Sequence, residues 1–294
     1  MRVYRSVEFG IVGMGSVGTL LAYFLNSAGI VPYAVARTPR ARYVLRIRGE
    51  EHEVHVRLVE RLPPAVSFSL VAVKAYDTES VLGLISGVPV VFQNGIGGLE
   101  LVRERLGRGL GAVVTYGATR RGGVVELRGF GEFILPEEAG ALADILKAGG
   151  ASVRVVADVE PYRWLKVAVN AAINPITAVL GVKNGFVAED PHARAVALSA
   201  AREAAVVAER LGVRLPADPI EETLRVASAT RDNCSSMLQD LSAGGRTEVD
   251  YINGAVVKYG ARVGVEAPVN FALWSLVKAL ESTRSFKGHG CLAS

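Results

Sequence analysis

The chain is short of the groups that would make it a disulfide scaffold, a metal protein or a membrane protein. Its 294 residues include only two cysteines, Cys234 and Cys291. They are far apart and form no cluster at metal-ligand spacing, so neither a disulfide framework nor a zinc site is suggested, and both read as free thiols. No apolar run approaches the length of a membrane span. The N-terminal "MRVYRSVEFGIVGMG" goes straight into a strand-like segment without the pattern of a signal peptide. The expectations are a cytoplasmic address, no membrane partner and no bound metal. Runs of one charge are lacking too: 33 Lys and Arg stand against 29 Asp and Glu, a net charge of +4. The basic residues are scattered and not interleaved with aromatics, which argues against nucleic acid. An anionic small molecule explains a mild positive balance equally well. Internal repeats and low-complexity segments are absent.

What is present is a chain long enough for two domains, half hydrophobic in composition. The first half alternates short β-rich runs with helical stretches. "VEFGIVG", "VPYAVA", "SFSLVAVK", "VPVVFQN" and "GAVVTYGA" read as buried strands bounded by Gly, Pro or polar breaks, the rhythm of an α/β domain with a mostly parallel sheet. "VVELRGFGEFILP" reads as an antiparallel hairpin, followed by a helix in "EEAGALADILKAGG" and a last strand in "SVRVVAD". After Pro161, which suits the first turn of a helix, strand signals cease and Ala-rich amphipathic segments follow. The boundary falls near residues 157 to 160, giving an α/β domain over 1–158 and an all-helical domain over 159–294.

The first chemical motif is "GIVGMGSVGTLLAYFL", a GxGxxG at Gly13, Gly15 and Gly18 directly after a strand and opening a helix. Glycines there allow a tight turn, close approach of backbone to a pyrophosphate and packing of helix on strand. The helix N-terminus offers its free amides to the anion, so the turn Gly13, Met14, Gly15, Ser16, Val17, Gly18 is a dinucleotide-binding candidate. At the end of the second strand, where an NAD site usually carries Asp or Glu, "YAVARTPR" places Arg37 and Thr38, with Arg40 close behind. A guanidinium suits a 2′-phosphate, so the expected cofactor is NADPH. Lys74, Asn94 and Ala118 lie at or just past the carboxyl ends of later strands, where ligands bind in open α/β sheets.

The second motif is "KVAVNAAINP". Lys166, Asn170 and Asn174 recur every four residues, and the residues between them are Val, Ala or Ile. Four residues advance about 400° around a helix, so the three form one narrow polar stripe on an otherwise apolar surface. A solvent face is usually wide and rich in Glu, Lys and Arg, whereas buried polar groups require partners, so the stripe is expected to face a polar cavity. Pro175 frees a backbone carbonyl and is expected to bend the helix. The chain has only eight asparagines. Five of them, at 94, 170, 174, 184 and 233, fall in segments suspected of lining one cleft. "NCSSMLQD" and "RTEVDYING" add Ser236 and Glu248, the latter equally readable as an ordinary first-turn helix carboxylate after Thr247.

Together these segments carry a resemblance. The glycine turn, "VKAYD", "QNGIGG", "YGATRRG", "WLKVAVNAAINPITA", "KNG", "NCSSMLQD" and "TEVDYING" resemble, in order and approximate spacing, the ketopantoate reductase (2-dehydropantoate 2-reductase) family across about residues 8 to 260. The resemblance implies a Rossmann-type domain followed by a helical domain of the 6-phosphogluconate dehydrogenase C-terminal type. It also implies NADPH-dependent reduction of 2-dehydropantoate to (R)-pantoate, a step toward pantothenate and coenzyme A. Position by position it implies Lys166 as general acid and Glu248 as a catalytic and cofactor-side residue. Asn170, Asn174, Asn184, Ser236 and, more weakly, Asn233 would be substrate ligands. Lys74, Asn94 and Ala118 would line the cofactor, with Asn94 also near substrate. The chain departs mildly where Gln93 stands in place of a His found in some members, and where Asp77 follows a Tyr. Two rivals stand beside this reading: a reductase of the same fold acting on another 2-oxo or β-hydroxy acid, and a non-catalytic NADP(H)-binding sensor. Nothing fixes the oligomeric state, and a homodimer is kept open.

Overall fold

A computed structural model describes residues 7–283. These divide into two compact units, one from residue 7 to Gln93 with Gly98–Val159, the other comprising Asn94–Gly97 and the chain from Glu160 onward. Asn94, which the sequence ends a strand of the first unit with, therefore belongs to the second.

In the first unit the strands are β1 (Glu8–Val12), β2 (Tyr33–Val35), β3 (Tyr43–Ile47), β4 (Glu50–Val54), β5 (Arg57–Leu58), β6 (Val66–Val71), β7 (Val88–Val91), β8 (Leu110–Gly111), β9 (Val113–Val114), β10 (Gly117–Arg121), β11 (Val124–Gly129), β12 (Phe133–Pro136) and β13 (Val153–Val156). Its helices are α1 (Ser16–Ser27), α2 (Thr78–Val81), α3 (Gly98–Leu106) and α4 (Gly140–Ala148). Six strands form a parallel sheet in the order β5-β2-β1-β6-β7-β8. The central strands are near-continuous apolar runs because they are covered on their faces: Phe9, Ile11 and Leu70 are fully buried with Leu20, Leu21 and Leu25 of α1 and Leu142 of α4. Strand order reverses between β1 and β6. The crevice at the carboxyl ends of those two strands is where an open α/β sheet takes a ligand.

Two smaller sheets complete this unit, with orders β10-β11-β3-β4 and β13-β12-β9. They correct the hairpin expected over residues 124–136. β11 pairs antiparallel with β10 and parallel with β3, whereas β12 pairs with β9 and β13 in a different sheet. Gly129, Phe130 and Gly131 let the chain pass from one sheet to the other rather than turn back on itself. The run "GAVVTYGA" is likewise not one strand but parts of β8, β9 and β10, shared among the three sheets.

Every regular element described after Val159 is helical: α5 (Glu160–Leu180), α6 (Gly185–Glu189), α7 (Pro191–Arg210), α8 (Pro219–Ala229), α9 (Ser236–Ser242), α10 (Asn253–Arg262) and α11 (Pro268–Ser282), with a 3-10 turn at Val249–Tyr251. Local chemistry sets the starts. Asp190 and Asp218 each accept two backbone amides of the turn that follows, with Pro191 and Pro219 at the first helical position. Helix α5 packs on α7, α8, α9 and α11. Its seam with α7 is built of small residues: Ala168 and Ala172 face the side of α7 that carries Ala197, Ala200, Ala201, Ala204 and Ala208, all fully or almost fully buried.

Pro175 sits inside α5 and supplies no N–H to the carbonyl of Ala171 four residues earlier. The side chain of Asn253 fills that role, its Nδ2 donating to Ala171 O at 3.0 Å and to Asn270 Oδ1 at 2.9 Å. Asn270 Nδ2 in turn donates to Ala200 O and to Glu203 Oε2. The Glu203 carboxylate accepts the backbone amides of Val269 and Asn270, capping α11, which has no side-chain cap of its own. Asn253 and Asn270 are fully buried. Asn253→Ala should therefore cost about 2–3 kcal/mol of stability, the penalty of stranding buried partners. Adding Pro175→Ala, which returns an N–H to Ala171 O, should recover about 1 kcal/mol of that loss. Denaturant unfolding of both single variants and the double tests this, and strictly additive effects would refute the link.

Candidate active site

The site residues fall into one group in each unit. In the first, β1 ends in the glycine turn, where Gly13 has a φ of +101° and a Cβ placed on it would lie 2.6 Å from Val73 and 2.7 Å from its backbone N. A Cβ on Gly18 would lie 2.0 Å from Gly13 O, so helix and turn pack too closely for any side chain. Gly15 differs: the nearest neighbour of a Cβ there is Ala72 O at 3.9 Å. Its glycine keeps the turn bare toward open space. Helix α1 begins at Ser16 with no side-chain cap and no acidic residue in its first turn, while Met14 is buried and Ser16 and Val17 are half-buried. Uncapped amides around a bare turn fit a dinucleotide pyrophosphate.

Lys74 stands immediately before the short 3-10 turn Ala75–Asp77 that follows β6. Gln93 Nε2 donates to Thr78 Oγ1 at 2.8 Å and reaches Lys74 O at 3.5 Å, so Gln93, noted from sequence only as a departure, holds that turn to the end of β7. Arg37 projects largely into solvent with Nη1 3.4 Å from Asp77 Oδ2. Ala118 is half-buried on β10, paired with Leu127 of β11.

The second group centres on α5. Lys166 and Asn170 are half-buried and Asn174 is buried, so the stripe is no solvated face. Burial pushes the Lys166 ammonium down to about 8, against the nearby Glu248 charge, which raises it. Glu248 is itself buried, just before the 3-10 turn, and its Oε2 accepts from Asn94 Nδ2 at 3.0 Å. Asn94 is brought there because the segment 94–97 is strapped to that turn, with Ile96 N donating to Tyr251 O at 2.8 Å. Only glycine fits beside it, since a Cβ on Gly95 would lie 2.2 Å from the same carbonyl. On the far side of the turn, Glu281 Oε1 accepts both Thr247 N and Thr247 Oγ1, and Trp274, Lys278 and Arg246 bond Asp250. Those bonds fix the backbone on either side of Glu248.

Asn184 and Asn233 are joined through backbone, Asn184 N donating to Asn233 O at 3.0 Å. Asn184 Nδ2 donates to Thr230 Oγ1 at 2.9 Å, while its Oδ1 is buried without a partner. Ser236 opens α9 and is exposed; its neighbour Ser235 is the cap, accepting Leu238 N at 3.1 Å and bonding Thr177 of α5 at 2.8 Å. Cys234 corrects an expectation. It is disulfide-bonded rather than a free thiol, and Cys291 lies outside the described residues. No metal-ligating group is found among the described residues, and no helix among them is long and apolar enough to cross a membrane.

The order of these elements matches known proteins over nearly the whole chain. The profile described as "Ketopantoate reductase PanE/ApbA" matches residues 9–140, and that described as "Ketopantoate reductase PanE/ApbA C terminal" matches residues 158–281. The chain belongs to the ketopantoate reductase family. The 2-dehydropantoate 2-reductase of Pyrobaculum aerophilum is 50% identical over 272 residues, covering 92% of this chain and 97% of that one. That of Archaeoglobus fulgidus is 39% identical, covering 96% and 99%. Among solved structures, a PanE/ApbA family ketopantoate reductase from Ralstonia eutropha JMP134 superposes with a TM-score of 0.84 at 27% identity, covering 95% and 99%. Membership makes the chain an oxidoreductase of Rossmann-type and helical units.

A lysine depressed to about 8 beside a carboxylate yields a pH prediction. If the charged ammonium is the working form, kcat/KM should be level at neutral pH and fall as pH rises through about 8. Glu248→Gln removes the influence that raises the lysine, so the basic limb should move to lower pH. A limb that stays in place in Glu248→Gln would separate the two groups.

Proposed function

We propose that the chain reduces 2-dehydropantoate to (R)-pantoate with NADPH, on the way to pantothenate and coenzyme A, with Lys166 as the proton donor. The observation that carries this reading is the partly buried Lys166, held near neutral titration beside Glu248, in a chain that belongs to the ketopantoate reductase family. Ketopantoate reductases use NADPH, and the glycine turn with uncapped α1 amides fits its pyrophosphate. Gly13 to Gly18, Lys74, Asn94, Ala118 and Glu248 would hold the dinucleotide, with the arginines after β2 at its 2′-phosphate.

When bound, the dinucleotide supplies hydride to the C2 carbonyl carbon of the substrate. The chain's own residues do the rest. The Lys166 ammonium donates a hydrogen bond to the carbonyl oxygen, polarising it, and passes it a proton as negative charge develops there, so that C=O becomes CH–OH. A lysine near 8 gives up that proton more readily than an ordinary one and recovers it from solvent at neutral pH. Glu248 keeps the ammonium charged and oriented between turnovers, and Asn94 fixes the carboxylate that does so. Asn170 and Asn174, on the same face of α5, offer amide donors and acceptors to the hydroxyl and carboxylate of the substrate, with Asn184, Asn233 and Ser236 completing its ligands. A cytoplasmic setting and a homodimer belong to the same reading.

Loss of NADPH absorbance should be fast with ketopantoate and much slower with 2-oxoisovalerate, which lacks the hydroxymethyl group. Lys166→Ala should lower kcat by about 10²–10⁴ while NADPH affinity is retained. Lys166→Arg should not restore it, since guanidinium holds its proton too tightly. Near-native kcat in Lys166→Ala would remove the lysine from the chemistry. Preference for 2-oxoisovalerate would instead change the substrate.

A further inference from the structure

The loop that leads into α9 carries two successive serines with opposite surroundings. Ser235 is buried and Ser236 is exposed. Ser235 is the cap: its Oγ accepts Leu238 N at 3.1 Å, which turns its side chain inward and leaves Ser236 on the open side of the helix start. On the inward side the Ser235 hydroxyl meets that of Thr177 on α5, 2.8 Å away. Thr177 is fully buried, and its Oγ1 also reaches the carbonyls of Ile173 at 2.9 Å and Asn174 at 3.0 Å. Ser235 Oγ lies 3.5 Å from the same Asn174 carbonyl. Each hydroxyl has one hydrogen, so whichever donates across the pair, the other hydrogen goes to an α5 carbonyl. A continuous line of polar contacts therefore runs from an amide of α9, through two hydroxyls, to the α5 backbone at Ile173 and Asn174.

Two further observations give this line a role beyond capping. The helix is interrupted where the line ends: Pro175 follows Asn174 and removes a rung of the α5 ladder, so contacts from outside the helix help to place the backbone there. The loop itself is already laced on its other side. Asn184 N donates to Asn233 O at 3.0 Å, Gly185 N to Arg231 O at 3.1 Å and Asn233 N to Thr230 O at 2.8 Å, while Gln239 Nε2 donates to Cys234 O at 2.8 Å. A loop held in shape by these bonds moves as one piece, and the Ser235–Thr177 bond registers that piece against α5. It thereby sets the separation of Ser236 from Asn174.

We propose that Ser235 and Thr177 are positioning residues for substrate recognition, their paired hydroxyls holding Ser236 and Asn174 at the spacing that accepts a 2-oxo acid bearing a hydroxyl group. This rests on the reading above, in which Asn174 and Ser236 are substrate ligands, and it names what fixes the distance between them. Hydrogen bonds weaken steeply with misalignment, so an amide on one helix and a hydroxyl at the start of another serve one polar substrate only at one separation. A 2-oxo acid with a purely apolar side chain asks for no such register. Thr177 stands about 16 Å along α5 from Lys166, so the pair acts on binding and discrimination and leaves proton transfer to the lysine.

Steady-state kinetics of the full chain with ketopantoate and with 2-oxoisovalerate, followed by NADPH absorbance, test the proposal. Thr177→Val keeps the shape and removes the hydroxyl. It should raise KM for ketopantoate by about fivefold or more, the loss expected for one hydrogen bond, while kcat changes by less than about twofold. The preference for ketopantoate over 2-oxoisovalerate should shrink by a similar factor, and the basic limb of the pH profile should stay in place because Lys166 and Glu248 are untouched. Thr177→Ser, which keeps the hydroxyl, should return KM to within about twofold of the wild type. Ser235→Ala removes cap and bridge together, and adding Thr177→Val to it should raise KM no further. Unchanged KM and preference in Thr177→Val, with only its denaturation midpoint lowered, would make the pair structural and overturn the proposal. Additive effects in the double variant, or a Thr177→Ser variant as impaired as Thr177→Val, would overturn it too. A wild type without preference for ketopantoate would overturn the substrate reading above and this proposal with it. If Thr177→Val does not fold, Ser235→Ala set against Ser235→Thr, which keeps the hydroxyl, decides the matter by the same KM and preference.

Discussion

One backbone carbonyl, that of Ala171, is the constraint on which the helical unit turns. A proline in the middle of α5 would ordinarily leave it stranded in an apolar interior, a loss comparable to any single core substitution. The chain resolves this with a relay that starts at Glu203 on α7, passes through Asn270 on α11 and Asn253 on α10, and ends on α5. The same carboxylate caps α11, so four helices are registered against one another by a single line of buried polar contacts. Asn253 Oδ1 itself has no partner; the amide is held by what it donates. Because Lys166, Asn170 and Asn174 ride on α5, this relay also sets where the polar stripe stands.

The two groups of functional side chains use charge in opposite ways. Around Glu248, acid and base are matched closely: the carboxylate moderates the desolvation of Lys166, and its flanking turn is pinned by Glu281, Trp274 and Lys278. Around the glycine turn the partial charge of the α1 amides is left unmatched.

Much of this was legible in the sequence because the signals are local. The glycine turn follows a strand and opens a helix within a dozen residues, and the four-residue spacing of Lys166, Asn170 and Asn174 is a property of one helix. The family resemblance added what periodicity alone cannot, expected roles for Asn184, Asn233 and Ser236. What was not legible depends on partners distant in the chain. Asn253 and Asn270 look like ordinary helix-start residues, and the carbonyl that explains Asn253 is 82 positions away. Alternation over 124–136 could not say that its two halves enter different sheets, because both halves present the same pattern to whichever edge is available. Asn94 looked like the end of a strand, yet Ile96, two residues on, donates its N–H to Tyr251 O. The disulfide at Cys234 has no spacing signature in a chain with two cysteines.

The alanine seam between α5 and α7 has a dynamic consequence. Helices meeting through methyl groups approach closely and leave no slack for sliding or rotation, since small side chains have no alternative rotamers to adopt. The amide hydrogens of α5 along that seam should exchange with solvent only when the whole helical unit opens, marking it as the most protected segment of its half of the chain. Lys166, carried on the same helix, is then mounted on a rigid floor. Any motion within the helical unit must then come from elements outside the seam.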